Sequence, residues 1–397
     1  MHFFQIALLA LVGPGSLAAA GSNVDNLEKL RNRQTSTQSL VDALGSHADL
    51  SSFQQILKTL PGLVNANANK GATVLVPTNT ALSNFVKLNN ATDVSQLPVS
   101  KLQSIFQYHT LDAALSTTNF STPRGLTVPT KLTDSAYNLR SPGLALLNQF
   151  GADANGQVLY ISKDTANPSK FRVRQSAGEK STLRAGLGQS AELTGIDGKW
   201  DGGYFQAIDT VLEVPEVCST TIKKLSDSLS SLDDALRKVS LWQELDKKPN
   251  ITCLGPNTDA FKTAGNPEQN LNNSALTDAL MFHTLPEVAY SNFLTDGQEL
   301  KTLSNQTIKV TVRDSNIWFN DAKVVNANVL TNNGLIHVLD RVMSADGTPD
   351  DAGSPSPTSS GTANPSSTGN PPNAGNAISR NLPAAGVIAF AAVMLLT

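Results

Sequence analysis

The sequence contains few of the residues from which metal and catalytic centres are built. Its 397 residues include two cysteines and five histidines, and the histidines are scattered along the chain. A zinc or calcium site needs clustered ligands, yet an HExxH helix, an aspartate-rich loop and a cysteine pair at zinc spacing are all missing. A GxSxG nucleophile elbow and a P-loop lysine are missing too. The sequence therefore argues against a metal centre, a bound cofactor and a nucleophilic hydrolase.

An excess of charge of one sign is also lacking. The chain has 30 Lys and Arg residues against 33 Asp and Glu residues, a formal net charge of -3. This balance creates no overall field that would attract nucleic acid or an acidic membrane surface. We therefore exclude nucleic acid as a partner. The length is sufficient for two domains of ordinary size with additional tails.

Both ends of the chain carry sequence typical of targeting segments. An apolar run over residues 3–12, followed by small residues up to Ala20, predicts a signal peptide over residues 1–20. Residues 382–397 are also apolar, but this run is shorter than the roughly 20 residues that span a bilayer. Together with small residues and a polar spacer before it, the run predicts a GPI-attachment signal, with attachment at Asn373 and a propeptide over 374–397. Attachment at Gly369 and a short single-pass anchor are the alternatives.

The segment before this signal predicts a stalk on a secreted glycoprotein. Residues 347–373 are mainly Ser, Thr, Pro, Gly, Asn and Ala, a composition that buries too little apolar surface to fold and that suits O-glycosylation. Five N-glycosylation sequons also fit the secretory pathway. They stand at Asn90, Asn119, Asn250, Asn272 and Asn305. We expect a lipid-anchored glycoprotein on the outer side of the plasma membrane, in the cell wall or secreted.

The two cysteines, Cys218 and Cys253, lie in a compartment that favours oxidation. We expect a disulfide between them, and closing a loop of this size contributes roughly 4 kcal/mol in the entropic description. The alternative is a pair of buried free thiols.

An internal repeat organises the rest of the chain. Residues 334–343 (GLIHVLDRVM) predict a buried strand that closes a domain, and residues 203–212 (GYFQAIDTVL) repeat it in register. The strand motif at 73–82 (TVLVPTNTAL) likewise returns at 252–261 (TCLGPNTDAF). Between these motifs, apolar residues at offsets 0, 3, 4 and 7 form a helical stripe ending in His109 in one copy and in His283 in the other. The repeated order predicts two domains of one kind.

The two copies differ in length between the histidine and the closing strand. The first copy has about 43 additional residues, which include Gly-, Asn- and Ser-rich stretches over 151–156 and 176–190. We expect exposed loops there, together with strands over 158–161 and 171–173.

These ordered motifs resemble the two signature boxes and the tyrosine-histidine site of fasciclin domains. The resemblance covers residues 36–214 and 217–345, which we take as the two domains, and the first site stands at Tyr108-His109. It implies an α+β fold in which each domain is a β-sandwich wedge with packed helices. It implies adhesion or matrix contact without a reaction, as in a GPI-anchored fungal surface protein with two tandem fasciclin domains. The adhesion candidates are Tyr108, His109, Phe282 and His283, where Phe282 departs from the family tyrosine.

A structural role competes with a binding role at each candidate. A histidine that ends an apolar stripe is more often a hydrogen-bonded core residue that fixes a loop. Asp209 and Asp340 could be adhesive carboxylates or metal ligands, but a side chain that caps a turn is the stronger interpretation, with Asp340 also able to pair with Arg341. His337 has no counterpart in the first copy, where Gln206 occupies its position.

The class of ligand stays open from sequence alone. A cell-surface or cell-wall ligand, protein or glycan, is the main expectation. The alternatives are a wall-polysaccharide or glycolipid binder, a structural or trafficking protein facing the lumen of an internal membrane such as the vacuole, and a hydrolase of surface glycans. The hydrolase is the weakest because a recognisable pair of catalytic carboxylates is missing.

Overall fold

The computed structural model describes residues 38–60, 63, 71–152, 154–163, 181–194 and 196–349. The predicted signal peptide, the strand predicted over 171–173, Asn373 and the GPI propeptide lie outside these residues, as does the predicted stalk beyond its first three positions. Within the described residues, none of the helices combines the length and the apolar character needed to cross a membrane.

The described residues of the first domain form five helices and eight strands. The helices are α1 (Leu40–Leu44), α2 (Ser51–Thr59), α3 (Asn79–Leu88), α4 (Val99–Tyr108) and α5 (Gly143–Phe150), with 3-10 turns at Ala48–Leu50, Val94–Gln96 and Asn119–Ser121. The strands are β1 (Ala72–Pro77), β2 (Thr110–Leu111), β3 (Leu126–Pro129), β4 (Val158–Lys163), β5 (Ser181–Arg184), β6 (Ser190–Glu192), β7 (Gly198–Trp200) and β8 (Gly203–Ile208).

The second domain repeats this order with shorter connections. Its helices are α6 (Cys218–Lys224), α7 (Ser226–Lys238), α8 (Trp242–Lys247), α9 (Thr258–Thr263), α10 (Pro267–Asn270) and α11 (Asn273–Phe282). Its strands are β9 (Ile251–Pro256), β10 (Thr284–Leu285), β11 (Glu299–Lys301), β12 (Thr307–Arg313), β13 (Asn316–Phe319), β14 (Ala322–Thr331) and β15 (Gly334–Leu339).

The two domains build the same wedge with different continuity. The first domain has two four-stranded sheets, β2-β1-β8-β7 and β3-β4-β5-β6, whereas the second has one seven-stranded sheet, β10-β9-β15-β14-β13-β12-β11. The difference lies in β14, which runs through both halves of the wedge with two register shifts, while β6 and β7 divide the same path in the first domain. A positive φ marks the corner in both, at Asp197 (50°) and Asn328 (55°). The α+β fold with tandem wedge domains is therefore confirmed.

The same sequence motifs recur in both domains because they form the same central pair of strands. The closing strand lies parallel to the first signature strand in each domain, with Thr73 opposite Tyr204 and Thr252 opposite Leu335. Glycine opens each closing strand because the neighbouring backbone is so close. A Cβ atom would lie 2.1 Å from the Ala72 carbonyl oxygen at Gly203, and 1.8 Å from the Ile251 carbonyl oxygen at Gly334.

The polar residues after each signature strand begin a helix. The Thr78 hydroxyl accepts a hydrogen bond from the Ala81 amide at 3.2 Å, and the Asn257 amide oxygen accepts one from the Ala260 amide at 2.7 Å. Both residues are the helix N-cap, a position that Thr and Asn favour because they satisfy a free backbone N–H. This capping explains why the sequence repeats a short polar side chain directly after Pro77 and Pro256.

Some of the additional residues of the first domain are buried, whereas the sequence predicted exposed loops. The described residues of 151–156 do form turns, and Gly151, Ala152 and Asn155 are exposed. Residues 130–157, between β3 and β4, include helix α5, where Leu146 is fully buried, and Ala154 is buried beyond it. Part of the stretch predicted as a loop over 176–190 forms β5. The prediction was wrong at these positions because Gly and Asn mark turns but do not show that the apolar residues around them find a partner. That partner is the second domain for Leu146 and Ala154, and the core of the first domain for Leu183 of β5.

Candidate functional site

His109 lies in the core, where it fixes the exit of the closing strand. Its Nδ1 lies 2.7 Å from the Ile105 carbonyl oxygen, and its Nε2 accepts a hydrogen bond from the Leu212 amide at 3.0 Å. An amide donor at Nε2 leaves the proton on Nδ1, so the ring is neutral. Burial lowers the pKa of His109 to about 4, since a charged imidazolium would lose its hydration there.

His283 makes the same pair of contacts in the second domain. Its Nδ1 lies 2.8 Å from the Ala279 carbonyl oxygen, and its Nε2 accepts from the Met343 amide at 2.9 Å. Burial again lowers its pKa to about 4. We call each histidine with its two backbone partners a histidine latch, because it ties the end of a helix to the chain that follows the closing strand.

The residues before the two histidines are buried as well. Tyr108 is fully buried and donates a hydrogen bond from its hydroxyl to the Val158 carbonyl oxygen at 3.0 Å, while Phe282 packs edge-on against His283. None of the four adhesion candidates is exposed on the described surface. Their predicted adhesive role stays a prediction, and their geometry favours positioning of the surrounding chain.

Gln206 and His337 occupy equivalent positions of the closing strands, and each side chain hydrogen-bonds a backbone amide and a backbone carbonyl. The Gln206 amide oxygen accepts from the Asp197 amide at 3.0 Å, and its Nε2 donates to the Leu115 carbonyl oxygen at 3.5 Å. His337 accepts from the Asn328 amide at 3.4 Å and contacts the Ala289 carbonyl oxygen at 2.8 Å through Nε2. The departure seen in the sequence therefore preserves one hydrogen-bond pattern at the corner of the wedge.

The two repeated aspartates cap neighbouring backbone. Asp209 accepts from the Glu192 amide at 2.7 Å, and Asp340 accepts from the Lys323 amide at 2.9 Å. Arg341 lies 3.5 Å from the Asp340 carboxylate, as the pairing interpretation required. The described residues contain no group of three or more His, Cys, Asp and Glu side chains that could hold a metal ion.

The two cysteines are not joined by the disulfide that the sequence predicted. Cys218 and Cys253 are both free thiols in the apolar core of the second domain. Burial raises the pKa of Cys253 to about 12 and that of Cys218 well above its usual range, because the thiolate is poorly solvated there. A buried free cysteine packs as a small apolar side chain, which accounts for both positions without a covalent bond.

The first and second domains share an apolar interface. Side chains from α5 and β4 of the first domain form one buried cluster with residues of the second. This cluster consists of Leu146, Ala154, Val158, Tyr290, Leu330 and Leu335. Since Val158 also accepts the Tyr108 hydrogen bond, the first predicted adhesion residue lies directly behind this interface.

Arginine side chains fix the interface through backbone carbonyls. Arg124 donates to the carbonyl oxygens of Ser291 at 2.9 Å and Leu294 at 2.5 Å. Arg184 donates to the Asn326 side chain and, at 3.2 Å, to the Ala327 carbonyl oxygen. Hydrogen bonds to a charged donor are stronger than neutral ones. The two domains are therefore held in one arrangement by polar and apolar contacts together.

An open groove lies on the first domain, away from the closing strand. It has a volume of about 870 Å³ and runs between α2, α3 and the segment 91–95. Apolar residues form its floor, and hydroxyl and amide side chains form most of its rim. We call it the α2–α3 groove.

The five sequons differ in their surroundings. Asn90, Asn119, Asn272 and Asn305 are exposed, whereas Asn250 is half-buried at the domain interface. There the Asn250 amide oxygen accepts from the Ser141 amide at 2.5 Å, and its Nδ2 donates to the Ser141 hydroxyl at 3.3 Å. Glycosylation at the five positions stays a prediction.

The interface residues and the groove were not found from the sequence. Arg124 and Arg184 carry no motif, and their partners lie more than a hundred positions away. These partners are the Asn326 side chain and three backbone carbonyls. One signal was present for α5, since residues 143–150 (GLALLNQF) form an apolar run inside an otherwise polar insert. An apolar run in a segment that only one copy has indicates a contact that only that copy makes.

Comparison with known families identifies both repeats. A family model described as "Fasciclin domain" matches residues 48–215 and 227–345, which is more than half of the chain. The domain limits taken from the motifs, 36–214 and 217–345, stay a prediction beyond these matched residues.

Two fungal proteins resemble the chain over most of its length. The fasciclin-like arabinogalactan protein elcF of Phaeosphaeria nodorum is 24% identical over 314 residues, which is 79% of this chain and 90% of the relative. A fasciclin-like arabinogalactan protein of Arthroderma benhamiae is 24% identical over 321 residues, 78% of this chain and 67% of the relative. Human periostin is 28% identical over 148 residues, 36% of this chain but 18% of periostin.

A solved structure of a FAS1 domain pair from the insect cell adhesion molecule fasciclin I is also similar. It is 17% identical, covers 75% of this chain and 98% of its own, and has a TM-score of 0.34.

Proposed function

Because this chain belongs to the fasciclin family, we propose that it is a non-enzymatic adhesion or matrix-contact protein of the cell surface. The observation that carries the proposal is the tandem family match, joined by an interface that presents two domains as one unit. Two domains held in one arrangement present their surfaces to a ligand at a fixed distance and orientation. Binding then costs less conformational entropy than it would with freely moving domains.

The buried candidates act indirectly in this proposal. Tyr108, His109, Phe282 and His283 position the chain around them, and the ligand contacts the exposed surface that they support. The partner is a cell-surface or cell-wall component, protein or glycan. Selective binding of wall polysaccharide or glycolipid is the second candidate, and the two fungal relatives are both named as arabinogalactan proteins.

The proposed location is the outer side of the plasma membrane. The signal peptide predicted over 1–20, the stalk predicted over 347–373 and the GPI attachment predicted at Asn373 support it from sequence alone. A role facing the lumen of an internal membrane is the alternative location, and microscopy of a tag inserted after Ala20 distinguishes the two.

The test uses cells that display the full chain. We expect such cells to cluster or to bind wall material more than cells lacking the protein, and a phosphatidylinositol-specific phospholipase should release the chain and remove the difference. Equal adhesion of both cell types overturns the adhesive role. Loss of adhesion to cells with retained binding to one purified glycan supports the second candidate. A chain that stays on the cells after this treatment and still contains residues 382–397 contradicts the lipid anchor.

A further inference from the structure

We propose that the α2–α3 groove of the first domain binds an N-linked glycan that this chain itself carries on Asn90. The ligand is a neutral oligosaccharide, and its point of attachment lies in the chain between residues that line its own binding site. The inference does not depend on the adhesive role.

The position of Asn90 supports this occupant. The groove is lined by Lys87, Ala91 and Thr92, so Asn90 lies between residues of its wall. It follows the end of α3, is exposed, and adopts φ 53°. Its side-chain amide makes no hydrogen bond to the described part of the chain, whereas the amides of Asn250 and Asn272 are engaged with Ser141 and with the Ala275 amide. The Asn90 amide is therefore free to carry a sugar beside the groove.

The chemistry of the groove suits a neutral sugar. Its floor includes Ile56, Leu82 and Val86, and its rim carries hydroxyl and amide groups such as those of Ser83 and Gln55. A sugar ring presents C–H faces to such a floor and hydroxyl groups to such a rim. Lys87 and Asp93 contribute one charge of each sign, so the lining favours neither an acidic nor a basic ligand. The volume of about 870 Å³ falls within the range of roughly 300–1,000 Å³ that is usual for ligand sites.

The second domain closes the corresponding region with its own helix and side chains. There α10 packs on α7, and the Lys238 ammonium donates to the carbonyl oxygens of Glu268 and Leu271, both at 2.9 Å. Thr59 takes the place of Lys238 in the register that matches Thr73 with Thr252, and α3 has 10 residues where α9 has 6. The longer helix leaves the groove open, and the residue with positive φ after its end is Asn90, whereas the shorter α9 is followed by Gly265. The open groove and the sequon therefore occur together.

The test compares two sequons on the same folded protein. The full chain is produced in a eukaryotic secretory host, and release of each glycan by an endoglycosidase is followed by peptide mass spectrometry. Asn305 is the matched control because it is also exposed with positive φ, at 63°, and does not line the groove. We expect release from Asn90 to be at least about tenfold slower than from Asn305, as a docked glycan is shielded from the enzyme. After denaturation the two rates should be equal.

Two variants separate docking from other causes of slow release. Ser83→Trp fills the groove from an exposed position of α3 and should raise the release rate at Asn90 to that at Asn305, whereas Lys262→Trp at the equivalent position of α9 should leave it slow. Asn90→Asp should increase hydrogen exchange of α2, and Asn305→Asp should not. An unoccupied Asn90, equal release rates in the folded protein, or binding of an added neutral oligosaccharide to the groove while Asn90 is glycosylated overturns the inference.

Discussion

The two domains keep the same histidine latch while their sequences differ around it. His109 and His283 each accept from one backbone amide and contact one carbonyl, at distances that agree within 0.1 Å between the domains. At the corner of the wedge, a glutamine in one domain and a histidine in the other reach the equivalent carbonyl. A buried backbone N–H or C=O group must have a hydrogen-bond partner in both domains. Which side chain provides that partner can differ between them.

The differences between the domains are concentrated where they face other surfaces. The first domain alone has α5, which builds the domain interface, and alone has the long α3 that leaves the groove open. The second domain closes the corresponding region with α10 and Lys238. The shared parts therefore stabilise each domain, and the parts present in one copy provide contacts to a partner.

The largest expected difference between the domains is their stability in acid. Burial lowers the pKa of His109, His283 and His337 to about 4 each, so the folded state takes up these protons less readily than the unfolded chain. The contribution of each histidine to the free energy of unfolding is fully present above pH 6.5. It falls by roughly 3 kcal/mol as the pH decreases from 6.5 to 4. The first domain has one such histidine and the second has two. We expect the second domain to lose roughly 6 kcal/mol against roughly 3 for the first.

Hydrogen exchange, corrected for the intrinsic rate at each pH, measures this difference in β8 and β15 separately. His337→Gln copies the residue of the first domain and should reduce the acid sensitivity of β15 to that of β8. The charged groups acting on these rings are Asp321, which raises the pKa of His283, and Arg184, which lowers that of His337. Equal acid sensitivity of β8 and β15 in the unaltered protein contradicts the prediction.

The next largest effect concerns the contact that only α5 makes. Leu146→Asp places a charge in the buried interdomain cluster and should weaken the domain contact by at least about 3 kcal/mol. We expect a larger radius of gyration in small-angle X-ray scattering and faster proteolysis near the interface. Leu144 on the same helix is 78% exposed, so Leu144→Asp is the matched control and should change neither. An unchanged radius for the Leu146 variant means that the polar contacts hold the domains alone.

Removing one latch should have a smaller and local effect. His109→Phe leaves the Leu212 amide and the Ile105 carbonyl without their side-chain partner, and His283→Phe does the same in the second domain. We expect a loss of about 2 kcal/mol in the altered domain, from the cost of a buried unpaired amide. Exchange in β8 should rise for the first variant and exchange in β15 for the second. Equal changes in both domains from one variant indicate that the domains unfold as a single unit.

The parts of the fold that were predictable are those encoded by local patterns. The apolar stripes, the proline-terminated strands and the glycine that opens each closing strand have local causes, and their repetition at Thr73 and Thr252 gave the domain order. The interface depends instead on contacts such as Arg124 with Ser291, whose partner is a backbone carbonyl far along the chain. Every residue has a backbone carbonyl, so the residue types do not show which carbonyl an arginine will bind. Neither the interface nor the burial of Tyr108 behind it could therefore be predicted. The groove depends on a few extra residues in α3, whose effect emerges only from packing against α2.

The smallest expected effect tests the state of the cysteines. Cys253 in β9 occupies the position of Val74 in β1, since each follows the threonine of its signature strand. Both side chains are buried, so Cys253→Val gives the second domain the residue of the first at nearly the same volume. With free thiols, as in the structure, the substitution should change the free energy of unfolding by less than about 1.5 kcal/mol. A disulfide would make the same substitution cost about 2–4 kcal/mol, and the denatured, unreduced protein would then show no reactive thiol instead of two. Urea unfolding of both forms, together with thiol titration, distinguishes the two states because the volume change is the same in each and only the covalent constraint differs.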